Sequence, residues 1–367
     1  MTNYSIGLIG VGENPEEQTM EGFSMGYRHA EAYENIEGCE IVAVADVIAE
    51  NARTFADLYD IADEHVYDSH KAMLANASPD IVSVCVPPSV HADIAIDCIR
   101  SEVVDLVYCE KPMAATWGEC RLMAQEADRH DSVLAFNHQR RFGKPFRKAK
   151  DMLEDGVIGD LQRIEFNDFH LYDSGSHAFD LASYYNDERP ADWVIGNIDY
   201  RTESVWFGAH NENHAVGFWE YDNGVMGFAD VGDDTSPGGE SLPCFVRLCG
   251  SEGAIELISD EGEAPLKICR TSEGWQEYDC AGEGGHEDIY YERAIRETIT
   301  AVDEGHNPEL SARNALNGTE LIFGIWQSAQ ERGRIDLPLT VENNPLETMV
   351  RTGDLTPESI EADHRTN

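Results

Sequence analysis

The segment Ile6-Gly7-Leu8-Ile9-Gly10-Val11-Gly12 places two glycines directly after a short apolar run that is typical of a buried strand. Glycines at this point let the backbone turn sharply and approach a pyrophosphate, which then lies on the N-terminus of the next helix. The usual third glycine is displaced, and we expect Gly26 to open that helix after an insertion over residues 13–25. Gly10, Gly12 and Gly26 are therefore predicted to hold a dinucleotide. The alternative is that the first two glycines only form a turn.

The first 136 residues alternate short apolar runs with amphipathic stretches, which is the pattern of a doubly wound parallel sheet. The apolar runs are predicted as buried strands at 5–9, 40–45, 81–86, 105–109 and 133–136. Helices are predicted between them, near 26–35, 49–59, 70–76, 90–100 and 117–129. Thr116 and Glu119 form a capping box before the last of these helices. We therefore expect an N-terminal Rossmann domain over residues 1–136.

Beyond residue 136 the pattern changes to strand-like runs separated by turns such as Asp222-Asn223-Gly224. Strands are predicted near 161–169, 193–200, 214–221, 225–231, 244–249 and 254–258, and helices near 145–154, 176–185, 290–303 and 311–330. Residues 137–344 are thus predicted to form an α+β domain with a large, open, mostly antiparallel sheet. Residues 345–367 are polar and aperiodic, and we expect an unstructured tail there.

The charge of the chain is strongly acidic and evenly spread. Seventy Asp and Glu residues face 26 basic ones, of which only six are Lys, and the net charge is -44. Such a surface repels itself in dilute buffer, whereas molar salt shortens the Debye length to about 3 Å and removes most of the repulsion. We therefore expect a halophilic organism, the alternative being an acidic protein of an ordinary cell. Nucleic acid and anionic membranes are excluded as partners because both require a basic face.

The nine cysteines are scattered without Cys-x-x-Cys spacing, and several lie inside apolar runs. Buried free thiols in a reducing compartment explain this pattern, and we expect no metal site. The apolar run near the start lacks the basic region and cleavage site of a signal peptide, and no stretch reaches the roughly 20 apolar residues of a membrane helix. We expect a cytoplasmic protein.

Asp46 ends the second predicted strand, where an acidic side chain normally accepts hydrogen bonds from the ribose hydroxyls of a dinucleotide. It would also repel the additional phosphate of NADP, and no Arg follows directly. The sequence therefore favours NAD over NADP. Asp46 could instead cap the next helix, or serve both roles.

Four motifs, with their order and spacing, give the chain its resemblance to a known family. They are Gly26-Tyr27-Arg28-His29, Val86-Pro87-Pro88-Ser89-Val90-His91, Cys109-Glu110-Lys111-Pro112 and Asp173-Ser174-Gly175-Ser176-His177-Ala178-Phe179-Asp180. With them, the chain resembles the Gfo/Idh/MocA oxidoreductases over residues 5 to 180. The resemblance implies hydride transfer between nicotinamide and a secondary hydroxyl of a sugar, sugar acid or cyclitol. The insertion at 13–25 is a departure from the family's pattern.

Lys111, Asp173 and His177 are the catalytic residues that the resemblance implies. An imidazole titrates near neutral pH, which suits His177 as the base for the hydroxyl proton. Asp173, four residues earlier, could orient it on a shared helix face. Lys111 follows a parallel strand and would stabilise alkoxide character as the proton leaves. The structural alternatives are a helix cap, a core histidine and a solvated lysine.

The remaining site residues are predicted from their place next to these motifs. The cofactor set adds His29, Pro87, His91 and Glu110, and the substrate set is Asn137, Arg140, His170 and Tyr172. His91 could equally be an ordinary residue at a helix start, and a structural salt bridge is an equal alternative for Arg140.

Two other functional classes stay open at this point. One is a family member that keeps NAD tightly bound and uses it transiently, as a glycosidase or sugar oxidoreductase. The other is a non-catalytic sensor of NAD and sugar. By analogy with the family, we expect a small carbohydrate substrate and a homodimer or homotetramer.

Overall fold

A computed structural model describes residues 3–16, 24–130, 132–232, 242–259, 264–270 and 273–358. Residues 17–23, in the predicted insertion, and 359–367, in the predicted tail, lie outside this description. The chain divides into two compact units. The first comprises Met1–Phe142 with Asp288–Leu316, and the second comprises Gly143–Glu287 with Asn317–Asn367.

The first unit contains a six-stranded parallel sheet in the order β3-β2-β1-β4-β5-β6. Its strands are β1 (Tyr4–Ile9), β2 (Cys39–Ala45), β3 (Val66–Tyr67), β4 (Ile81–Val84), β5 (Leu106–Cys109) and β6 (Val133–Phe136). Its first helices are α1 (Met25–Glu34), α2 (Ala49–Leu58), α3 (His70–Asn76), α4 (His91–Arg100) and α5 (Trp117–His130). The order is that of the predicted Rossmann domain, which is confirmed.

Local chemistry explains where these elements begin and how they pack. The central strands β4 and β5 are buried throughout, as expected for parallel strands covered on both faces. The predicted capping box is present before α5, where the Glu119 N–H donates to Thr116 Oγ1 at 3.3 Å and the Thr116 N–H donates to Glu119 Oε2 at 3.0 Å. These contacts satisfy N–H groups that would otherwise lack a partner at the start of the helix.

The second unit is built on a nine-stranded sheet in the order β16-β15-β14-β13-β7-β12-β11-β8-β17. Its strands are β7 (Leu161–Asp168), β8 (Ala191–Asp199), β11 (His214–Tyr221), β12 (Met226–Gly232), β13 (Cys244–Gly250), β14 (Gly253–Ser259), β15 (Leu266–Arg270), β16 (Gly274–Tyr278) and β17 (Ile335–Asp336). A separate two-stranded hairpin pairs β9 (Val205–Trp206) with β10 (Ala209–His210). Only β7 and β12 pair in parallel among the described strands of the large sheet, so the predicted mostly antiparallel sheet is confirmed.

The later helices are α6 (Lys144–Glu154), α7 (Ser176–Tyr185), α8 (Ile289–Glu304), α9 (Ala312–Glu331) and α10 (Pro345–Thr352). Helix α9 lies close to the large sheet, as shown by Gly217, where an added Cβ would collide with the side chain of Ile325. Helix α7 packs on the same sheet through Phe179, whose ring lies 4.8 Å from that of Phe166 and 5.5 Å from that of Trp219. No described helix is both long and apolar enough to cross a bilayer.

The boundary between the units differs from the sequence expectation. The prediction divided the chain at residue 136 and placed 288–316 in the second domain. In the structure the first unit continues to Phe142, and α8 packs into its core through Tyr291 and Ile295. The segment after α8 also caps the sheet edge, because the Phe136 N–H donates to the Leu310 carbonyl at 2.9 Å. Apolar burial and this hydrogen bond explain the return of the chain to the first unit.

The expected unstructured tail is corrected over its first part, where Pro345–Thr352 forms α10. Leu346 and Met349 are buried one helical turn apart, and the Asn344 side chain accepts the Glu347 N–H at 3.2 Å. An N-cap, a proline at the first helical position and one apolar pair are sufficient here. The overall polarity of the segment concealed these signals.

Candidate functional site

The turn after β1 has the geometry that a phosphate-binding turn requires. Gly10 and Gly12 have φ values of 78° and 75°, in the left-handed region that favours glycine. A Cβ on Gly10 would collide with Val86, and one on Gly26 would lie 2.7 Å from the Cα of Val11. Glycine is therefore needed at Gly10 to keep the turn open, and at Gly26 to let α1 pack against it.

A cavity of about 490 Å³ opens at the carboxyl ends of β1, β2 and β4, and we call it the glycine cavity. Its volume is within the range of about 300–1,000 Å³ that is common for ligand sites. Four of the predicted cofactor residues line it: Gly10, Gly12, Asp46 and Pro87. The structure therefore brings these four together at the edge where doubly wound sheets bind ligands.

Asp46 links the glycine turn to the end of β2. Its carboxylate accepts the Gly12 N–H at 3.1 Å and the Ile48 N–H at 2.8 Å. The N-cap position of α2 is occupied by Ile48, so Asp46 is not the cap itself. Glu13 and Asp68 line the same cavity, and no Lys or Arg is present among its described lining residues. The glycine cavity is therefore acidic near the end of β2.

His91 lies inside the protein, between the loops that follow β4 and β5. It is fully buried, with Nε2 2.7 Å from the Val86 carbonyl oxygen and Nδ1 2.9 Å from that of Pro112. Burial lowers the pKa of His91 despite the opposing effect of these carbonyls, so the neutral imidazole is favoured. The predicted contact of His91 with the cofactor stays a prediction. His91 connects the two loops and does not line the glycine cavity.

Glu110, at the end of β5, is the centre of a buried polar network. Its carboxylate accepts the Asn137 side-chain amide at 2.6 Å and His29 Nε2 at 2.9 Å, and Oε2 accepts the Lys111 N–H at 3.2 Å. Burial alone would raise the pKa of Glu110, but the hydrogen bonds and charge of His29 and the Asn137 amide hold it below its ordinary value. An ionised carboxylate therefore lies directly behind Lys111.

His29 and Asn137 both contact the Glu110 carboxylate in the interior of the first unit. His29 is fully buried, with Nδ1 3.1 Å from Ser83 Oγ, and Asn137 accepts the Tyr108 hydroxyl at 2.8 Å. The polar groups of His29 and Asn137 contact protein partners in this network, and their predicted contacts with cofactor and sugar stay predictions. Sequence reasoning missed Ser83 and Tyr108, which read as ordinary members of buried strands.

Lys111 itself is half-buried at the carboxyl edge of the first unit's sheet, and its peptide bond to Pro112 is cis. Arg140 is also half-buried, in the short helical turn Gln139–Phe142 of the same unit. Both cations follow the end of a strand, at the edge that carries the glycine cavity.

In the second unit, Asp173 and His177 lie around the start of α7. The N-cap position is Gly175, two residues after Asp173. His177 lies in the first turn and is 5% exposed. The Asp173 N–H donates to Asn211 Oδ1 at 3.2 Å, and the Leu171 N–H donates to Glu212 Oε1 at 2.6 Å. Asn211 and Glu212 therefore hold the loop that presents Asp173, a role that no sequence pattern indicated.

The two predicted sugar-binding residues of this loop have different places. Tyr172 is 1% exposed, and its ring lies 5.7 Å from that of Trp326. Its predicted contact with the sugar stays a prediction. His170 lines a cavity together with Trp206, with ring centroids 5.9 Å apart. No group of three or more potential metal ligands occurs among the residues that the structure describes.

Comparison with known proteins extends over both units. The model "Oxidoreductase family, NAD-binding Rossmann fold" matches residues 6–138, and "Oxidoreductase family, C-terminal alpha/beta domain" matches residues 162–337. The chain is 26% identical over 349 residues to myo-inositol 2-dehydrogenase of Thermotoga maritima, covering 90% of this chain and 98% of that protein. It is 22% identical over 357 residues to D-apiose dehydrogenase of Paraburkholderia graminis, covering 89% and 90% respectively.

A solved structure supports the same fold. The inositol dehydrogenase homolog of Azotobacter vinelandii, complexed with NADH and myo-inositol, gives a TM-score of 0.70 at 18% identity, covering 92% of this chain and 98% of that one. The two family matches include the glycine turn, the Glu110–Lys111 segment and the Asp173–His177 segment. The chain belongs to the Gfo/Idh/MocA family of oxidoreductases, and its N-terminal unit has the NAD-binding Rossmann fold of that family.

Proposed function

We propose that this protein is an NAD-dependent dehydrogenase that moves a hydride between nicotinamide and a secondary hydroxyl of a sugar, sugar acid or cyclitol. The observation that carries the proposal is the glycine cavity, which lies at the carboxyl ends of β1, β2 and β4, with Lys111 after the neighbouring β5. Relatives that align over nearly the whole chain are named inositol and apiose dehydrogenases, which supports this class of substrate.

The glycine cavity fits a dinucleotide without an additional phosphate. Gly10 and Gly12 leave room for the pyrophosphate, since both have the left-handed φ that favours glycine and a Cβ on Gly10 would collide with Val86. A bound NAD would supply the hydride acceptor. Asp46 is placed to accept the ribose hydroxyls, and Glu13 and Asp68 add negative charge that would repel the 2′-phosphate of NADP. We therefore propose NAD as the cofactor.

Replacing Asp46 by serine is expected to lower kcat/KM for NAD by about tenfold and to narrow the preference for NAD over NADP. The ribose would lose an acceptor, and the Gly12 and Ile48 N–H groups would lose theirs. Initial rates with both cofactors measure the effect. Asp57→Ser, on the exposed face of α2, is the matched control. Unchanged kcat/KM for NAD in the Asp46 variant would refute this role.

We propose that Lys111, Asp173 and His177 carry the chemistry. His177 takes the hydroxyl proton as the hydride leaves the carbinol carbon, and Asp173 orients His177 or the substrate. Lys111 stabilises the alkoxide character that develops on the oxygen. The carboxylate of Glu110 accepts the Lys111 N–H and positions the start of this segment. His29 and Asn137 act through Glu110, as positioning residues.

The test is absorbance at the NADH band in molar KCl, with NAD or NADP and a panel of pentoses, hexoses, uronates and cyclitols. We expect turnover with NAD and one substrate class. If folded protein binds NAD but turns over no member of the panel, the proposal is wrong. In that case, nicotinamide absorbance in the purified protein would distinguish a tightly bound cofactor from a sensor.

We further propose that the second unit associates with another copy through the outer face of its large sheet. Ile195 lies opposite Phe218, which lies opposite Phe228, and the first two side chains are 42% and 36% exposed. The same cross-strand row continues as Glu165, Arg247, Glu256 and Lys267, whose charges alternate. A balanced, partly apolar face on a chain of net charge -44 favours self-association. A monomeric mass by light scattering in high salt would contradict a homodimer or homotetramer.

We also propose that the protein works in a salt-rich cytoplasm. All nine cysteines are free thiols, which supports a reducing compartment. Thermal unfolding at stepped KCl concentrations tests the salt requirement.

A further inference from the structure

A second cavity, of about 720 Å³, lies in the second unit beside the hairpin of β9 and β10, and we call it the hairpin pocket. Its volume exceeds that of the glycine cavity and is within the range of ligand sites. Its lining includes His170, Asp199, Arg201, Trp206, Asn213 and His214. None of these except His170 belongs to the predicted reaction machinery.

The apolar wall of the hairpin pocket is Trp206. Its side chain is 47% exposed and its neighbour Val205 is 50% exposed, although both belong to a two-residue strand. The turn that follows has φ values of 49° at Phe207 and 81° at Gly208, which hold the hairpin tightly folded. An indole ring that is exposed to solvent on a tight hairpin can stack against the C–H groups on one face of a sugar ring.

The polar rim of the pocket is held in place by contacts within the second unit. Arg201 pairs with Asp199 at 2.6 Å and His214 with Asp230 at 2.9 Å. The Asn213 side chain accepts the Thr202 N–H at 2.8 Å and donates to the Thr202 carbonyl at 3.0 Å. Planar amide, guanidinium and carboxylate groups of fixed orientation suit pairs of hydroxyls.

The charge of the pocket disfavours an anionic ligand. Arg201 pairs with Asp199, and Glu203 adds a further carboxylate to the lining. A uronate or a nucleotide sugar would meet net negative charge there. A neutral ring with many hydroxyl groups suits both features, since it can stack on Trp206 and hydrogen-bond to the polar rim.

The hairpin pocket is directly connected to the loop that carries Asp173. Asn211 and Glu212 follow β10 immediately, and they accept the N–H groups of Asp173 and Leu171 at 3.2 and 2.6 Å. His170 belongs to that loop and contacts Trp206 in the pocket. A sugar bound at Asp173 would therefore lie at the loop that also supplies His170 to the hairpin pocket.

We propose that the hairpin pocket binds an uncharged second sugar ring, so that the preferred substrates are disaccharides or other glycosides instead of free monosaccharides. This proposal names the substrate class of the reaction proposed above and rests on that function. The pocket itself can be tested by binding, without turnover.

The experiment is isothermal titration of the full chain in molar KCl, with glucose, maltose, cellobiose and trehalose as probes. We expect at least one disaccharide to bind more tightly than glucose. Trp206→Ala should weaken that binding by about tenfold and leave glucose unchanged, while Trp206→Phe should retain it within about threefold. Trp275→Ala is the matched control, since Trp275 is 50% exposed on β16, outside the pocket.

Equal binding of every disaccharide by wild type and Trp206→Ala would overturn the proposal. So would a change in oligomeric mass in Trp206→Ala, because the hairpin would then be a subunit contact. Disaccharide binding that depends on Trp206, in a protein that transfers no hydride, would refute the proposed function alone. Turnover of free monosaccharides at an unchanged kcat/KM in Trp206→Ala, with no tighter disaccharide binding, would refute only the pocket.

Discussion

Replacing His177 by alanine is expected to lower kcat by about 10²–10⁴-fold, because the reaction would lose the group that takes the hydroxyl proton. The KM for NAD should stay within about threefold of wild type, since His177 belongs to the second unit and the glycine cavity to the first. Lys111→Ala should also lower kcat, because the developing negative charge on the substrate oxygen would lose its cation. Steady-state rates across pH measure both effects.

The pH profile separates a base from a structural residue. In wild type the rate should rise with pH as the base loses its proton, and this rise should disappear in the His177 variant. His306→Ala is the matched control, because His306 is an exposed histidine just beyond α8. A His177 variant with near-wild-type kcat and an unchanged pH profile would show that another group accepts the proton.

The melting temperature is expected to rise by about 10 °C or more between roughly 0.1 and 3 M KCl. Exposed carboxylates are close together in the sequence at Glu31 and Glu34 on α1. Burial first, and then these two charges, raise the pKa of Tyr59 to about 12. Glu37 and Glu40 extend the same exposed acidic stretch. Salt should screen such clusters and stabilise the compact state. Calorimetric scans at stepped KCl concentrations measure the slope.

Two controls separate screening from general effects of the solvent. The variant with Glu31, Glu34, Glu37 and Glu40 all changed to Gln should melt higher than wild type at low salt and respond less to KCl. Sucrose at matched osmolality should raise the melting temperature equally in the wild type and in the four-Gln variant, because its stabilising effect comes from exclusion from the protein surface and not from charge screening. A melting temperature that does not change with KCl would exclude salt adaptation.

The sequence predicted long, strongly patterned elements well and missed short ones. Continuous apolar runs marked five of the six parallel strands, because such strands are buried on both faces. The missed strand, Val66–Tyr67, is two residues long and too short to show any period. Strand β16 was missed because its side chains are largely exposed and give no clear alternation.

For the site, the sequence predicted which residues follow strand ends, but it did not predict the direction in which their side chains point. Gly10, Gly12 and Asp46 follow strands whose carboxyl ends meet at one edge, so their grouping could be predicted. The inward direction of His29 and Asn137 depends on Glu110, far away in the chain, and no local pattern shows this. The support that Asn211 and Glu212 give to the Asp173 loop is equally non-local.

The return of residues 288–316 to the first unit has a consequence for how the protein is made. During synthesis the first 142 residues emerge without α8, so the apolar surface that later meets Tyr291 and Ile295 stays open to water. The Phe136 N–H likewise lacks its acceptor, the Leu310 carbonyl, until residue 310 has been synthesised. The N-terminal fold therefore cannot be completed on the ribosome before most of the second unit has been translated. We expect a fragment that ends at residue 142 to be incompletely folded and prone to aggregation, and not to form a domain that binds the cofactor.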